Sequence, residues 1–144
     1  MALEPDDSPG FLLWHATLRW QRGIAAALAP LDLTHPQFVL LAGLWWLDGQ
    51  GGHPNQLELS QHTGMDVRTA SQVLRRLEAK GFLTRQVDLV DTRMKRLAVT
   101  ERGAEVALRA VEVVERADAE FFAALADRSA LLAVLRPLAR PERP

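Results

Sequence analysis

The chain has 144 residues, 48% of them hydrophobic and 24% charged, the composition of one folded domain rather than of a disordered or low-complexity chain. Its longest apolar run, Phe38 to Leu47, covers ten residues, about half of a bilayer crossing. The acidic start Met1-Ala-Leu-Glu-Pro-Asp-Asp has neither the basic end nor the apolar stretch of a signal peptide, so the expectation is a cytoplasmic protein without a membrane partner.

There is no cysteine, which excludes disulfides, thiolate zinc sites and cysteine nucleophiles. The net charge of −1 hides an uneven distribution. Residues 64–102 hold nine basic and five acidic residues, whereas 1–34, 35–63 and 103–144 are each net acidic. A polyanion-binding patch has this pattern, and so does an ordinary solvated surface.

In chain order, Phe11, Trp14, Leu18, Ala25 and Leu28 recur at helical spacing over 10–29, ended by Pro30. Thr34 and Gln37 form a T-x-x-Q capping box for the next helix. Its Phe38–Leu47 stretch is apolar on every side, which predicts a buried central helix. A loop, Asp48-Gly-Gln-Gly-Gly, follows. After Pro54, Asn55 and Glu58 make a second capping pair for a short helix whose inner side carries Leu57, Leu59 and Ser60, ending at Gly64. Asp66 caps a further helix with an apolar stripe of Ala70, Val73, Leu74 and Leu77, and Gly81 stands at its C-terminal cap.

Two strand candidates, Phe82–Val87 and Arg96–Val99, flank a charged loop. Thr100 caps a long helix to about Leu125, with Ala107, Val111, Val114, Phe121 and Leu125 in phase. Asp127 caps a last short helix with Leu131, Leu132, Leu135 and Leu138. Pro137, Pro141 and Pro144 fall near the end. The expected fold class is mainly α with a small β-wing (α+β), of about six helices and two or three short strands.

The block 55–100 therefore reads as short helix, glycine turn, longer helix, strand, basic loop, strand. A helix-turn-helix needs a tight turn so that its second helix can enter a major groove while the first braces it. Beginning at Val67, that second helix presents Arg68, Thr69, Ser71, Gln72, Arg75 and Arg76 to solvent. Arginine can grip guanine, glutamine can grip adenine, and serine or threonine can reach phosphate. An arginine at a hairpin tip suits a narrow, electronegative minor groove; Arg93 takes that place, with Asp91 to hold its guanidinium and Lys95 alongside.

These residues carry a family resemblance. Asn55-Gln-Leu-Glu-Leu-Ser-Gln-His-Thr-Gly64 resembles the T-x-x-E-L-A-x-x-x-G of the MarR family of winged helix-turn-helix transcription regulators. Asp66-Val-Arg-Thr-Ala-Ser71 with Arg76-Leu-Glu-Ala-Lys-Gly81-Phe-Leu is similar to its S-x-x-T-v-S…R-L-e-x-k-G-l-i. Asp88-Leu-Val-Asp91-Thr-Arg93-Met-Lys95-Arg-Leu-Ala-Val-Thr100-Glu-Arg-Gly103 resembles the wing signature D-x-R-D-x-R-x-x-x-v-x-L-T-x-x-G. The departures are Val90 at the first wing arginine, Asp66 for Ser and Asn55 for Thr; the last two keep the capping ability.

The resemblance implies one MarR-type domain over 1–144, with a DNA-binding region over about 34–102 and helical dimerisation segments over about 10–33 and 103–140. It implies a homodimer that binds double-stranded DNA at a pseudo-palindromic operator, as a repressor, and that a small-molecule effector can release. Val67, Arg68, Thr69, Ser71, Gln72, Arg75, Arg76, Asp91, Arg93 and Lys95 are the expected DNA-contacting set. Arg76 has a second reading, bracing the wing or pairing with an acid.

Trp14, His15, Trp45 and Trp46 are candidates for an effector pocket, although tryptophans at such positions are more often core. The histidines, His15, His35, His53 and His62, have no metal-ligand spacing, so no metal and no cofactor is expected. Nothing in the chain has the spacing of a nucleotide loop, a serine-hydrolase elbow or a zinc-protease helix, so the expectation is not an enzyme. The alternative of another class is a winged-helix protein-interaction module.

Overall fold

The computed structural model describes residues 4–140; Met1, Pro141 and Pro144 lie outside that range. Among the described residues there are six α-helices and one two-stranded antiparallel sheet. Among the described residues no single helix is long and apolar enough to cross a membrane.

Helix α1 (Pro9–Leu28) starts where the Ser8 hydroxyl accepts the Phe11 N–H, with Pro9 at the first position, where its missing donor costs nothing. After Leu28 a 3-10 turn, Ala29–Leu31, leads through Asp32 in the left-handed region (φ 54°) to helix α2 (His35–Gly49). Thr34 and Gln37 close both halves of the expected capping box there. Helix α2 packs against α1, α3 (Gln56–Thr63), α4 (Val67–Ala79), β2 (Lys95–Val99) and α5 (Glu101–Phe121).

Leu40, Leu41 and Leu44 of α2 are fully buried, and they share one core with Ile24 and Leu28 of α1, Leu59, Leu74, Leu77, Leu83, Leu97, Ala107 and Ala110. That core runs without a break across positions 33 and 102, so the first half of α5 is part of the frame that supports the winged block.

Strands β1 (Leu83–Val87) and β2 pair with Leu83 opposite Val99 and Val87 opposite Lys95. A single bridge between Asn55 and Arg96 ties β2 to the start of α3. Helix α5 gives way to a 3-10 turn at Phe122–Ala124, and α6 (Arg128–Ala139) begins at the Asp127 cap. Pro137 sits inside α6 rather than beyond it.

Three sequence expectations need correction. Leu57 faces outward at 47% exposure, because the two-turn α3 turns Leu59 and Ser60 inward instead. Helix α2 is not enclosed on every side: Trp46 is 55% exposed. The buried stripe of α5 is Gly103, Ala107, Ala110 and Val114; Val111 is only half-buried and Leu125, past the end of the helix, is exposed. Small residues take the inward positions because α5 lies close against the α4–β1 junction and α2, which leaves little room for branched side chains.

Candidate nucleic-acid interface

Helix α3 ends at Gly64 with φ 75°, a conformation that carries a steric penalty for any residue with a Cβ. The turn it makes brings the start of α4 back across α3, and the Gln56 side-chain amide donates to the Val67 carbonyl at 3.1 Å. The two helices of the motif are thereby joined at the exposed end. The Asp66 carboxylate accepts the N–H groups of Arg68 (2.9 Å) and Thr69 (3.2 Å) and the Thr69 hydroxyl as well. These hydrogen bonds, that from the Thr69 hydroxyl first, hold the Asp66 carboxyl below its usual range. Asp66 therefore stays charged and fixes the first turn of α4.

With Ala70, Leu74 and Leu77 buried and Val73 half-buried, α4 turns Val67, Arg68, Thr69, Gln72, Arg75 and Arg76 to solvent, and Ser71 lies at the margin. The Thr69 hydroxyl donates to Asp66, so its methyl group and the lone pairs of its oxygen are what it offers outward. Arg76 faces a different neighbourhood from Arg68 and Gln72. It lines a cleft of about 620 Å³ with Asp32, Thr34, Gln37 and Lys80, beside the α1–α2 turn. The Lys80 ammonium donates there to the Asp32 carbonyl and to the Gln37 side chain at 3.1 Å, pinning the end of α4 to that turn.

The wing follows directly from α4. Arg93 is 89% exposed, and its Nε donates to the Asp91 carboxylate at 3.2 Å, with the Nη2 contact at 3.4 Å. The guanidinium is thus held by the acid that the spacing of the loop suggested. Lys95 is exposed at the head of β2.

Arg96 is a residue that the sequence reading passed over. Its Nη1 donates to the His53 carbonyl at 2.6 Å and its Nε lies 3.3 Å from the buried Asp88 carboxylate. It anchors the wing to the loop before α3. The strand alternation that buries Leu97 would have placed Arg96 on the opposite face, but nothing local indicated that its partners came from residues 53 and 88.

Away from this surface, the helical ends form two adjoining apolar clefts. One, of about 560 Å³, is walled by Leu13, Trp20, Phe121, Phe122, Leu131 and Leu135. The other, of about 440 Å³, adds Asp118 and Arg128. The tryptophan common to both is Trp20, whose indole N–H donates to Asp118 at 2.7 Å. Trp14 and Trp46 are exposed, the His15 ring lies tilted against that of Phe11 with centres 4.4 Å apart, and Trp45 is half-buried; none of these four lines either cleft.

Known proteins resemble the chain in both sequence and fold. The model of the MarR family matches residues 33–95. The chain is 41% identical over 138 residues to the HTH-type transcriptional regulator YdcH of Bacillus subtilis, covering 96% of this chain and 94% of that one. It is 36% identical over 121 residues to the HTH-type transcriptional repressor Rv2887 of Mycobacterium tuberculosis, covering 83% and 84%. Among solved structures, the transcriptional repressor CouR of Rhodococcus jostii, bound to a 23-mer DNA duplex, superposes with a TM-score of 0.84 at 28% identity, over 97% of this chain and 100% of that one. On a full-length match at this identity, together with a capped, cationic second helix beside an arginine-tipped wing, the chain belongs to the MarR family of winged helix-turn-helix transcriptional regulators and is a DNA-binding protein.

Proposed function

We propose that this protein is a homodimeric, non-catalytic repressor of the cytoplasm. Each protomer places α4 in a major groove and Arg93 in the adjacent minor groove, and the two together read a pseudo-palindrome. The observation that carries this reading is the face of α4. Asp66 fixes its first turn, the buried stripe sets its rotation, and Arg68, Gln72 and Arg75 then stand outward on the helix that leads directly into the first strand of the wing. Arg68 and Gln72 are suited to base edges, Arg75 to base or phosphate, and Ser71 and Lys95 to phosphate. Val67 offers an apolar contact to a thymine methyl. Arg76, beside Lys80, is assigned to bracing and backbone approach rather than to base reading.

The dimer is supported by what a single copy leaves uncovered. Phe11, Leu12, Leu13 and Trp14 at the start of α1 are exposed, and so are Val134, Leu135 and Leu138 of α6, a helix with no buried residue at all. A twofold mate that lays its own α1 and α6 against these would cover them. The same region holds the apolar clefts, and the relative Rv2887 has been seen in complex with p-aminosalicylic acid. An effector that fits the Trp20 cleft and alters the separation of the two winged blocks would release DNA.

The test is selection of genomic fragments with the purified full chain, followed by affinity for the enriched duplex across a salt series. Steep loss of affinity with salt is expected, because phosphate contacts release counterions, and light scattering should give a dimer. Failure to enrich any duplex, or a salt-independent affinity, would move the assignment to the protein-interaction module. A monomer at micromolar concentration would remove the two-half-site geometry.

A further inference from the structure

The tip of the wing carries an apolar pair that the reading above leaves without a role. Leu89 and Val90 are 98% and 93% exposed, more than any other large apolar side chain among the described residues. Single exposed aliphatics are common on soluble proteins and need no explanation. Two adjacent ones at the end of a DNA-binding hairpin, where the wing signature that this loop resembles has an arginine at the place of Val90, are a different matter.

The loop is built to hold them out. The Asp88 carboxylate, buried at the base, accepts the Val90 N–H at 2.9 Å and pairs with Arg96 at 3.3 Å. The Asp88 N–H donates to the Met94 carbonyl and the Met94 N–H to the Asp91 carbonyl, each at 3.0 Å. The segment 88–94 is therefore closed on itself by hydrogen bonds, and the two side chains project from it beside the exposed guanidinium of Arg93. Valine has few rotamers to lose on contact, and the hydrogen bonds hold the backbone that carries both side chains.

We propose that Leu89 and Val90 act as an apolar wedge in the minor groove, packing on its sugar walls and against a pyrimidine–purine step beside Arg93. In this way the chain selects deformable sequence outside the positions that α4 reads. The inference rests on the DNA-binding reading. Proteins that enter the minor groove combine cationic side chains with aliphatic wedges that partly unstack a step, and TA and CA steps unstack most easily. Arg93 with Lys95 supplies the cation, Leu89 with Val90 the wedge. Valine in place of arginine exchanges a salt-dependent attraction for a contact that salt does not weaken.

The experiment is selection from a library of duplexes with a randomised central segment, run in parallel with the parent protein, the double variant Leu89→Ser/Val90→Ser, and Val90→Arg. The parent should enrich two half-sites flanked by TA or CA steps. The serine variant should keep the half-site bases and the parent's melting temperature, lose the flanking steps, and bind the parent's consensus roughly three- to tenfold more weakly. Val90→Arg should steepen the dependence of log affinity on log salt by about one unit per protomer while losing the same flanking steps.

A serine variant that enriches the same flanks with undiminished affinity overturns the wedge and leaves the tip to a protein partner. Equal weakening on all duplexes, with the flanks retained, overturns it as well. A parent that enriches no sequence would sink the operator reading itself and the wedge with it.

Discussion

A methyl group on Gly103 would lie 1.9 Å from the carbonyl oxygen of Phe82. The same oxygen accepts the Thr100 N–H at 3.1 Å, while the Thr100 hydroxyl donates to the Gly81 carbonyl at 2.6 Å and accepts the Gly103 N–H at 3.0 Å. The start of α5 is thus fastened directly onto the junction between α4 and β1, backbone against backbone. Gly103→Ala should cost about 3 kcal/mol or more, since the backbone itself has to move. Gly23→Ala, in α1 with nothing within 4 Å of the added carbon, should by contrast be neutral or stabilising by up to about 1 kcal/mol. Urea denaturation of the two variants checks the contrast; similar stabilities would show that the junction yields easily.

Ser60 is buried at 4% exposure, and its hydroxyl oxygen has no hydrogen-bond partner. A buried polar group without a partner is destabilising by about 1–3 kcal/mol. Ser60→Ala removes it at almost constant volume, so the melting temperature should rise. A clear fall would mean that the hydroxyl has a partner in solution.

The His35 ring, at the first turn of α2, meets Trp20 edge-on with ring centres 5.1 Å apart. Burial pushes its pKa below the ordinary value, while the Asp118 carboxylate pulls in the opposite direction and does not prevail. The folded chain therefore disfavours the imidazolium. Stability from this site is intact above the ordinary histidine value of about 6.5 and is lost as pH falls below it toward the lowered folded value. His35→Gln should melt with less difference between about pH 7.5 and pH 5.5 than the parent does. An unchanged difference would place the acid sensitivity elsewhere.

Arg93 and Gln72 should fail in different ways. Arg93→Ala should weaken binding to cognate and random duplexes alike, because a minor-groove arginine reads width and charge. Gln72→Ala should cost roughly 1–3 kcal/mol on the cognate site and relax base preference at particular positions. Both side chains are exposed, so thermal melts should match the parent. Competition binding of each variant against both duplexes distinguishes them, and an Arg93→Ala protein that binds like the parent would remove the wing from the interface.

What the sequence made legible was local. The capping pairs Thr34 with Gln37 and Asn55 with Glu58, the Asp66 cap, the Gly64 turn and the Asp91–Arg93 contact all join residues within four positions of each other, where spacing alone sets geometry. The relations that were not legible span long stretches of chain. Trp20 meets Asp118 across 98 positions, and Arg96 meets His53 across 43. The close approach of Gly103 to Phe82 is likewise a property of packing, although the glycine itself belongs to the wing signature. Leu57 was misplaced because a helix of two turns leaves several rotations compatible with its few apolar residues. Residue type picks out Trp14, Trp45 and Trp46 as effector candidates, but type does not tell which face of a helix meets a cleft, and the tryptophan that lines the two apolar clefts is Trp20.

The outer edge of β2 is held at two points. The Leu97 N–H donates to the Pro54 carbonyl and the Val99 N–H to the Asp48 carboxylate, both at 2.8 Å, and the other oxygen of Asp48 meets His53 at 2.6 Å. The hairpin is therefore a cantilever clamped at its root to the end of α2. A load applied at its tip by a bound duplex is carried through the clamp into the central helix, so hairpin and scaffold tilt together. The same clamp occupies the Leu97 and Val99 donors, through which a stray strand would add to the root of β2, and so blocks pairing between copies along that part of the edge.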